Sequence, residues 1–200
     1  MLTDIRQQLS EKWNRMTEEK SLRPPLESKD LEKLTSGDKV VLNGKIYTAR
    51  DAAHKRLIQL LEDGKPLPFD IKGQIIYYVG PTPEKPGEVI GSAGPTTSGR
   101  MDPYTPQLLD AGLKGMIGKG QRSKEVIDAI VRNKSVYFAA TGGAGVLLAK
   151  SIKKSKIIAY EDLGPEAIRE IYVENFPCIV AIDFKGRDLY KKGPKKYQNI

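Results

Sequence analysis

The sequence predicts an α/β fold. Three observations carry that prediction. From residue 74 onward, β-rich runs alternate with runs of helical period. A two-run β segment precedes them. Apolar residues make up 39% of the chain and charged residues 29%, the balance of a soluble globular protein. Two hundred residues suffice to bury a core in one domain and leave room for an appendage.

Leu2, Ile5, Leu9, Trp13 and Met16 recur at steps of three or four, with Thr3 or Asp4 placed to cap, so an amphipathic helix is predicted to about Glu19. Arg23-Pro24-Pro25 ends it. Residues 1–24 are therefore read as a helical appendage that docks on the body or on a partner chain, and 25–200 as the body. Ser28 caps a short helix through Leu34, closed by Gly37. Lys39 to Leu42 and Lys45 to Thr48 flank Asn43-Gly44, a hairpin signal. Arg50 and Asp51 open a helix through about Glu62, with Ala53, Leu57 and Leu61 on its apolar side and His54 one turn in, read as a structural imidazole. A Pro-rich linker, Lys65 to Phe69, leads to Gln74–Val79, a strand of central character.

Asp102-Pro103-Tyr104-Thr105 begins a helix through Leu109 and Ala111, Met116-Ile117 is a brief strand, and Ser123 caps a helix to Arg132. Val136 to Ala140 is a strand, Gly142 to Gly145 a tight turn, and Val146 to Ile152 a helix. Further on, the reading gives a strand over Lys156–Tyr160, a helix over Pro165–Val173, a strand over Cys178–Asp183, a turn at Lys185-Gly186, and a loose polar tail after Leu189.

Composition excludes several classes. No apolar run approaches the roughly 20 residues of a membrane helix and no signal-peptide core opens the chain, so a cytoplasmic location is expected. The net charge of +8 points to an anionic partner or substrate. The lysines crowding the last third, such as Lys150, Lys153, Lys154 and Lys156, lack the interleaved aromatics of a single-strand binder and read as a solvated basic face. One cysteine, Cys178, and one histidine, His54, allow no internal disulfide and no thiolate or histidine-rich metal site. Gly118-Lys119-Gly120 lacks the Walker spacing, and Gly142-Gly143-Ala144-Gly145 lacks the dinucleotide spacing.

The chemistry concentrates between Val79 and Arg100. Gly91, Gly94, Pro95, Thr96, Thr97, Ser98, Gly99 and Arg100 bring bare backbone, hydroxyls and a guanidinium together, the composition of a small-anion site; a surface Ω-loop is the competing reading. Arg50, at a strand-to-helix turn, is placed either for an anion or for a salt bridge to Asp51. Lys119 lies in a glycine pair just before a helix.

Thr48-Ala-Arg50-Asp-Ala-Ala-His54-Lys, Gly80-Pro-Thr, Gly94-Pro-Thr-Thr-Ser-Gly-Arg100-Met-Asp, Gly118-Lys119-Gly120 and Tyr160-Glu-Asp-Leu-Gly-Pro-Glu-Ala-Ile occur in this order. Over about residues 28–190 the chain thereby resembles the β subunit of class I, iron–sulfur-dependent fumarate hydratases and L(+)-tartrate dehydratases. The resemblance implies a swivelling β/β/α three-layer domain and a hydro-lyase, active only with a separate α subunit that carries a 4Fe-4S cluster. It implies Arg50, Thr96, Arg100 and Lys119 as the residues that meet a four-carbon dicarboxylate. In those roles Arg50, Arg100 and Lys119 bind the carboxylates and offset developing charge, and Thr96 is the proton acceptor, with Lys119 beside it in catalysis. Thr97, one residue on, shares the substrate-binding assignment, and spacing leaves open which threonine faces the substrate. Reversible hydration of fumarate to (S)-malate is the expected reaction and tartrate dehydration the alternative. A non-catalytic anion- or nucleic-acid-binding module is the alternative of another class.

Overall fold

The computed structural model describes residues 19–195. The helix predicted from Leu2 lies, but for Glu19, outside the described residues. In chain order the elements are β1 (Lys20–Leu22), α1 (Ser28–Leu31), β2 (Lys39–Thr48), α2 (Asp51–Glu62), β3 (Ile75–Tyr77), a 3-10 turn (Ser98–Met101) and α3 (Thr105–Asp110). There follow β4 (Gly115–Gly118), α4 (Lys124–Asn133), β5 (Val136–Ala139), α5 (Gly145–Lys150) and β6 (Ile152–Ala159). A 3-10 segment (Glu161–Glu166), β7 (Ile168–Ile182) and α6 (Leu189–Lys195) complete the described chain. None of the described helices is long and apolar enough to cross a membrane.

Strands β2, β3, β4 and β5 lie side by side and parallel, and β7 runs antiparallel to both β2 and β5. That double pairing closes five strands into a barrel-like sheet, with β1 on β2 and β6 on β7 outside the ring. Successive side chains of a strand point to opposite faces, so two cores form. Ile75, Tyr77, Val136 and Phe138 join Leu42, Ile46, Val173, Phe176 and Val180 in a strand-lined cluster. Tyr77 meets Phe176 there edge-on, ring centroids 5.2 Å apart, across strands that do not pair with each other. Ile76, Tyr78, Met116 and Tyr137 point the other way and pack against Leu57, Leu108, Val126 and Ile130 of α2, α3 and α4. Each such fully buried side chain is worth about 1.5–3 kcal/mol.

Three expectations are corrected. Asn43-Gly44 makes no hairpin: β2 runs straight through it as a ten-residue strand. Between Leu42 and Gly44, a step of two residues in β2 is opposed by a step of three in β7, from Phe176 to Val173. The extra residue is a β-bulge; Asn175 adopts φ 49° and donates its N–H to Asn43 Oδ1 at 2.8 Å. The glycine is needed all the same, at φ 113°, but for a bulge partner instead of a turn. Second, Pro165–Val173 is not a helix. Ile168 and Ile171 stand three apart, which mimics helical spacing, but in an extended chain that spacing puts them on opposite faces: Ile168 packs with the helices and Ile171 with the strand-lined cluster. The run Ile168–Val173 is the start of the fifteen-residue β7, of which the expected strand from Cys178 is only the end. Third, the tail after Leu189 is helical as far as Lys195, its start fixed by the Tyr190 N–H donating to Asp188 Oδ1 at 2.9 Å. Strand β1 falls at the end of the segment read as an appendage and places Leu22 in the core.

Candidate active site

Because β2 to β5 are parallel, the loops leaving their carboxyl ends lie on one edge of the sheet, where parallel α/β sheets bind ligands. All five residues singled out from sequence are on that edge. Arg50 follows β2 as the N-cap of α2. Thr96, Thr97 and Arg100 lie on the long connection after β3, and Lys119 directly follows β4.

Arg50 is seated on Gly80. A Cβ added there would meet its Nη1 at 2.5 Å and its Cδ at 3.1 Å, so a side chain at 80 would dislodge the guanidinium. Two carboxylates stand near it: Glu166 Oε1 is 3.6 Å and Asp51 Oδ2 3.8 Å from Nη2. Its Nε is buried without a hydrogen-bond partner. Arg100, on the 3-10 turn, donates from Nε to Asp51 Oδ1 at 2.9 Å, with half of its side chain exposed. Two arginines from separate loops thus meet at one carboxylate. The salt bridge weighed for Arg50 is present, and Arg100 shares its carboxylate.

The threonines and Lys119 form a second group. Thr96 donates its N–H to the Tyr78 carbonyl at 2.7 Å and accepts the Lys119 N–H at 3.3 Å, and the Lys119 carbonyl accepts the Ser98 N–H at 2.9 Å. This short parallel bridge holds residues 96–98 beside the end of β4, with Thr96 half-buried and Thr97 and Lys119 exposed. Ser98 is buried and hydrogen-bonds Tyr137 at 2.9 Å; a Cβ on Gly118 would collide with its hydroxyl. The glycine pair around Lys119 therefore gives room to the threonine loop. Neither the cleft of about 390 Å³ bordered by Thr82, Gly91, Val146 and Ile152, nor the one at Lys45, Lys154 and Tyr172, includes any of these residues.

The layer beneath is enclosed. Arg122 is buried, donating from Nε to Asp102 at 2.7 Å and from Nη2 to Thr105 at 2.8 Å. It lies between the rings of Tyr78 and Tyr137 at 5.4 and 4.9 Å, where cation–π attraction adds to the ion pair. His54 is fully buried. Its Nδ1–H donates to the Arg50 carbonyl at 2.8 Å, and burial lowers its pKa to about 4, so the ring is neutral and fixes the backbone at Arg50.

A family described as the fumarase C-terminus matches residues 2–193. The chain belongs to the fumarase C-terminal family. Among the relatives of this fumarase C-terminal chain is a Methanocaldococcus jannaschii protein bearing the name of an L(+)-tartrate dehydratase β subunit, 42% identical over 177 residues, which cover 86% of this chain and 91% of the relative. The Escherichia coli L(+)-tartrate dehydratase β subunit is 32% identical over 183 residues, 89% of this chain and 90% of that one. The aerobic class I fumarate hydratase of E. coli is 42% identical over 153 residues, 76% of this chain but 28% of the longer enzyme. The fumarase C-terminal chain thus spans nearly the whole of the dehydratase β subunits and just over a quarter of the single-chain fumarate hydratases.

Its own donors do not fit an iron–sulfur cluster. Cys178 is buried in the strand-lined core, where desolvation pushes its thiol pKa up, away from the thiolate such a cluster needs. Among the described residues no three His, Cys, Asp or Glu side chains group as metal ligands.

Sequence reading missed three members of this edge. Asp51 was weighed only as a partner of Arg50, though it also binds Arg100. Glu166, whose Oε2 also accepts the Ala52 N–H at 2.9 Å, was hidden by the helix expected from Pro165. Arg122 gave no signal, since a lone Arg in a polar loop carries no mark of burial.

Proposed function

We propose that this chain is the β subunit of a hydro-lyase that reversibly hydrates fumarate to (S)-malate, completed by a separate α subunit that holds the 4Fe-4S cluster. The observation that carries the reading is the convergence of Arg50 and Arg100 on the Asp51 carboxylate. A pair of guanidinium groups that already meets one carboxylate is built to accept others, and a four-carbon dianion has two.

Arg50 and Arg100 hold the substrate carboxylates in this reading, and Lys119 adds the charge that offsets the carbanionic character developing as a proton leaves C3. Thr96 is assigned as the acceptor of that proton, with Lys119 beside it; the backbone bridge between their segments is what supports pairing them. Thr97, exposed on the same bridge, completes the substrate contact. The Lewis acidity of the cluster belongs to the partner, and the buried Cys178 supports that division of labour. The two cores on opposite faces of the closed sheet agree with a β/β/α layering, and a layered body that presents half a cleft suits a swivelling domain.

Fumarate is put first on the comparison within E. coli, where identity to the fumarate hydratase is 42% and to the tartrate dehydratase β subunit 32%, although the M. jannaschii relative named for tartrate dehydratase is 42% identical as well. One observation keeps tartrate as a second reading: the relatives that match this chain from end to end are named for tartrate dehydratase. All these relatives are named as hydro-lyases or their subunits, which disfavours a non-catalytic anion- or nucleic-acid-binding module. The test is anaerobic reconstitution of co-purified α and β chains, assayed with (S)-malate, fumarate and L(+)-tartrate. Rapid interconversion of malate and fumarate is expected, with none from the β chain alone. A complex that dehydrates only tartrate would move the assignment to the second reading.

A further inference from the structure

The two arginines are not bare cations. Arg50 and Arg100 carry two positive charges, and Asp51 and Glu166 face them with two negative ones. If the arginines served only as a positive field for a dianion, these carboxylates would work against it. Their placement gives them another use.

A guanidinium presents five N–H donors in a planar fork. In Arg100 the Nε edge is occupied by Asp51 Oδ1 at 2.9 Å, while the side chain is 52% exposed. This leaves the two Nη groups at the outer end of the fork for a bidentate carboxylate. On the other side Asp51 Oδ2 is buried without a hydrogen-bond partner and faces Arg50 Nη2 at 3.8 Å, too long for a hydrogen bond. Asp51 itself is held, as the first residue of α2, where the helix N-terminus favours a negative charge. One fixed carboxylate therefore sets the rotation of one arginine and faces the other.

We propose that Asp51 is a positioning residue of the dicarboxylate site: it takes the inner edge of Arg100, aims the outer edge at the substrate, and keeps Arg50 facing the same point. The inference rests on the functional reading above and deepens it. A competing account makes Asp51 a mere counter-ion occupying the place a substrate carboxylate later takes. The two accounts predict opposite signs. Loss of an aiming group weakens substrate binding, whereas loss of a competitor strengthens it.

The experiment uses the assembled α–β complex with (S)-malate and fumarate, and begins with the unaltered enzyme. A wild-type complex inert toward both would overturn the functional reading and this inference together. With activity established, Asp51→Asn keeps the shape and removes the charge. The expected result is a KM raised at least about tenfold with kcat within about threefold, as for lost uniform binding. A merely structural role would instead show in the melting temperature, which is expected to stay within a few degrees. A KM that is unchanged or lowered overturns the proposal. As a second arm, Asp51→Glu retains a carboxylate, and its KM is expected between those of wild type and Asp51→Asn; a KM above that of Asp51→Asn overturns the proposal. Finally, because Asp51 acts through Arg100, the Asp51→Asn effect should largely vanish in an Arg100→Lys background, a coupling that a double-mutant cycle reads directly. Full additivity would remove Asp51 from the path to the substrate.

Discussion

Two arginine–aspartate arrangements lie on successive layers of the same sheet edge, and they differ in how completely the guanidinium is used. Arg122 is enclosed: Nε reaches Asp102, Nη2 reaches Thr105, Nη1 lies 3.7 Å from the Met116 sulfur, and tyrosine rings cover its faces. Arg50 and Arg100 are left open. Arg50 meets its acids at 3.6 and 3.8 Å, beyond hydrogen-bond length, and Arg100 makes one short contact with half its side chain in solvent. A saturated arginine organises a core, because breaking a buried pair strands an uncompensated charge. An unsaturated pair at the ends of parallel strands has capacity left for a ligand. Residue type does not separate the two cases; the count of unused donors does.

The largest expected effect tests the saturated side. Arg122→Met should lower stability by about 3–5 kcal/mol, the cost of leaving Asp102 without its partner in a buried setting. Chemical denaturation of the β chain measures it. While the variant stays folded, KM of the assembled enzyme should change little. A stable variant with poor substrate binding would invert the comparison.

Arg100→Lys probes the open side. It keeps the charge and loses the planar fork, so kcat/KM of the complex should fall about 10²- to 10³-fold while the melting temperature moves little. Unaltered kinetics would take Arg100 out of the site, and melting without kinetic loss would make it a second structural arginine.

The contrast also explains what could be read from the sequence. The barrel strands were legible where a short apolar run is unbroken, as at Ile75–Tyr77 and Val136–Ala139, and α2 and α4 where helical period was clear, α4 with Ser123 as its cap. Of β7 only the end, from Cys178, was legible. Its bulge near Asn175 breaks the period of two, and Ile168 and Ile171 imitate a helix. Site residues in unusual local sequence, Gly94 to Arg100 and Gly118 to Gly120, stood out because glycine and hydroxyl residues crowd there. Asp51 and Glu166 act through partners far away in the chain, so only the closed sheet reveals their use. Arg122 is the extreme case, since burial of a charge is a tertiary event that leaves no local pattern.

His54 joins the two layers. It fixes the Arg50 carbonyl from below, and burial, together with the Arg122 charge, keeps it neutral with a pKa of about 4 against an ordinary value of 6.5. Between those values the unfolded chain binds the extra proton and the folded chain does not, so stability falls as pH drops through that window. At pH 5 the loss relative to pH 7 should be about 2 kcal/mol, and below pH 4 it should level off. Denaturation midpoints of wild type and His54→Gln across this range measure it. The variant should lose that part of the slope; an identical slope would place the proton elsewhere.

The smallest effect expected asks whether the saturated layer steers the open one. A methyl group at position 118 would press on the Ser98 hydroxyl, which is anchored to Tyr137 and thus to the same tyrosine that covers Arg122. Gly118→Ala should cost about 1–3 kcal/mol of stability, in the range of overpacked cores. Ser98 cannot retreat inward, so its loop must give outward, and that loop carries Thr96, Thr97 and Arg100. KM for the dicarboxylate should therefore rise along with the loss of stability. The double variant Gly118→Ala/Ser98→Gly removes the offending hydroxyl and should restore KM if position 118 acts through Ser98. Stability restored without KM would mean that the saturated layer supports the open pair only as a floor, and that Arg100 is oriented from the α2 side alone.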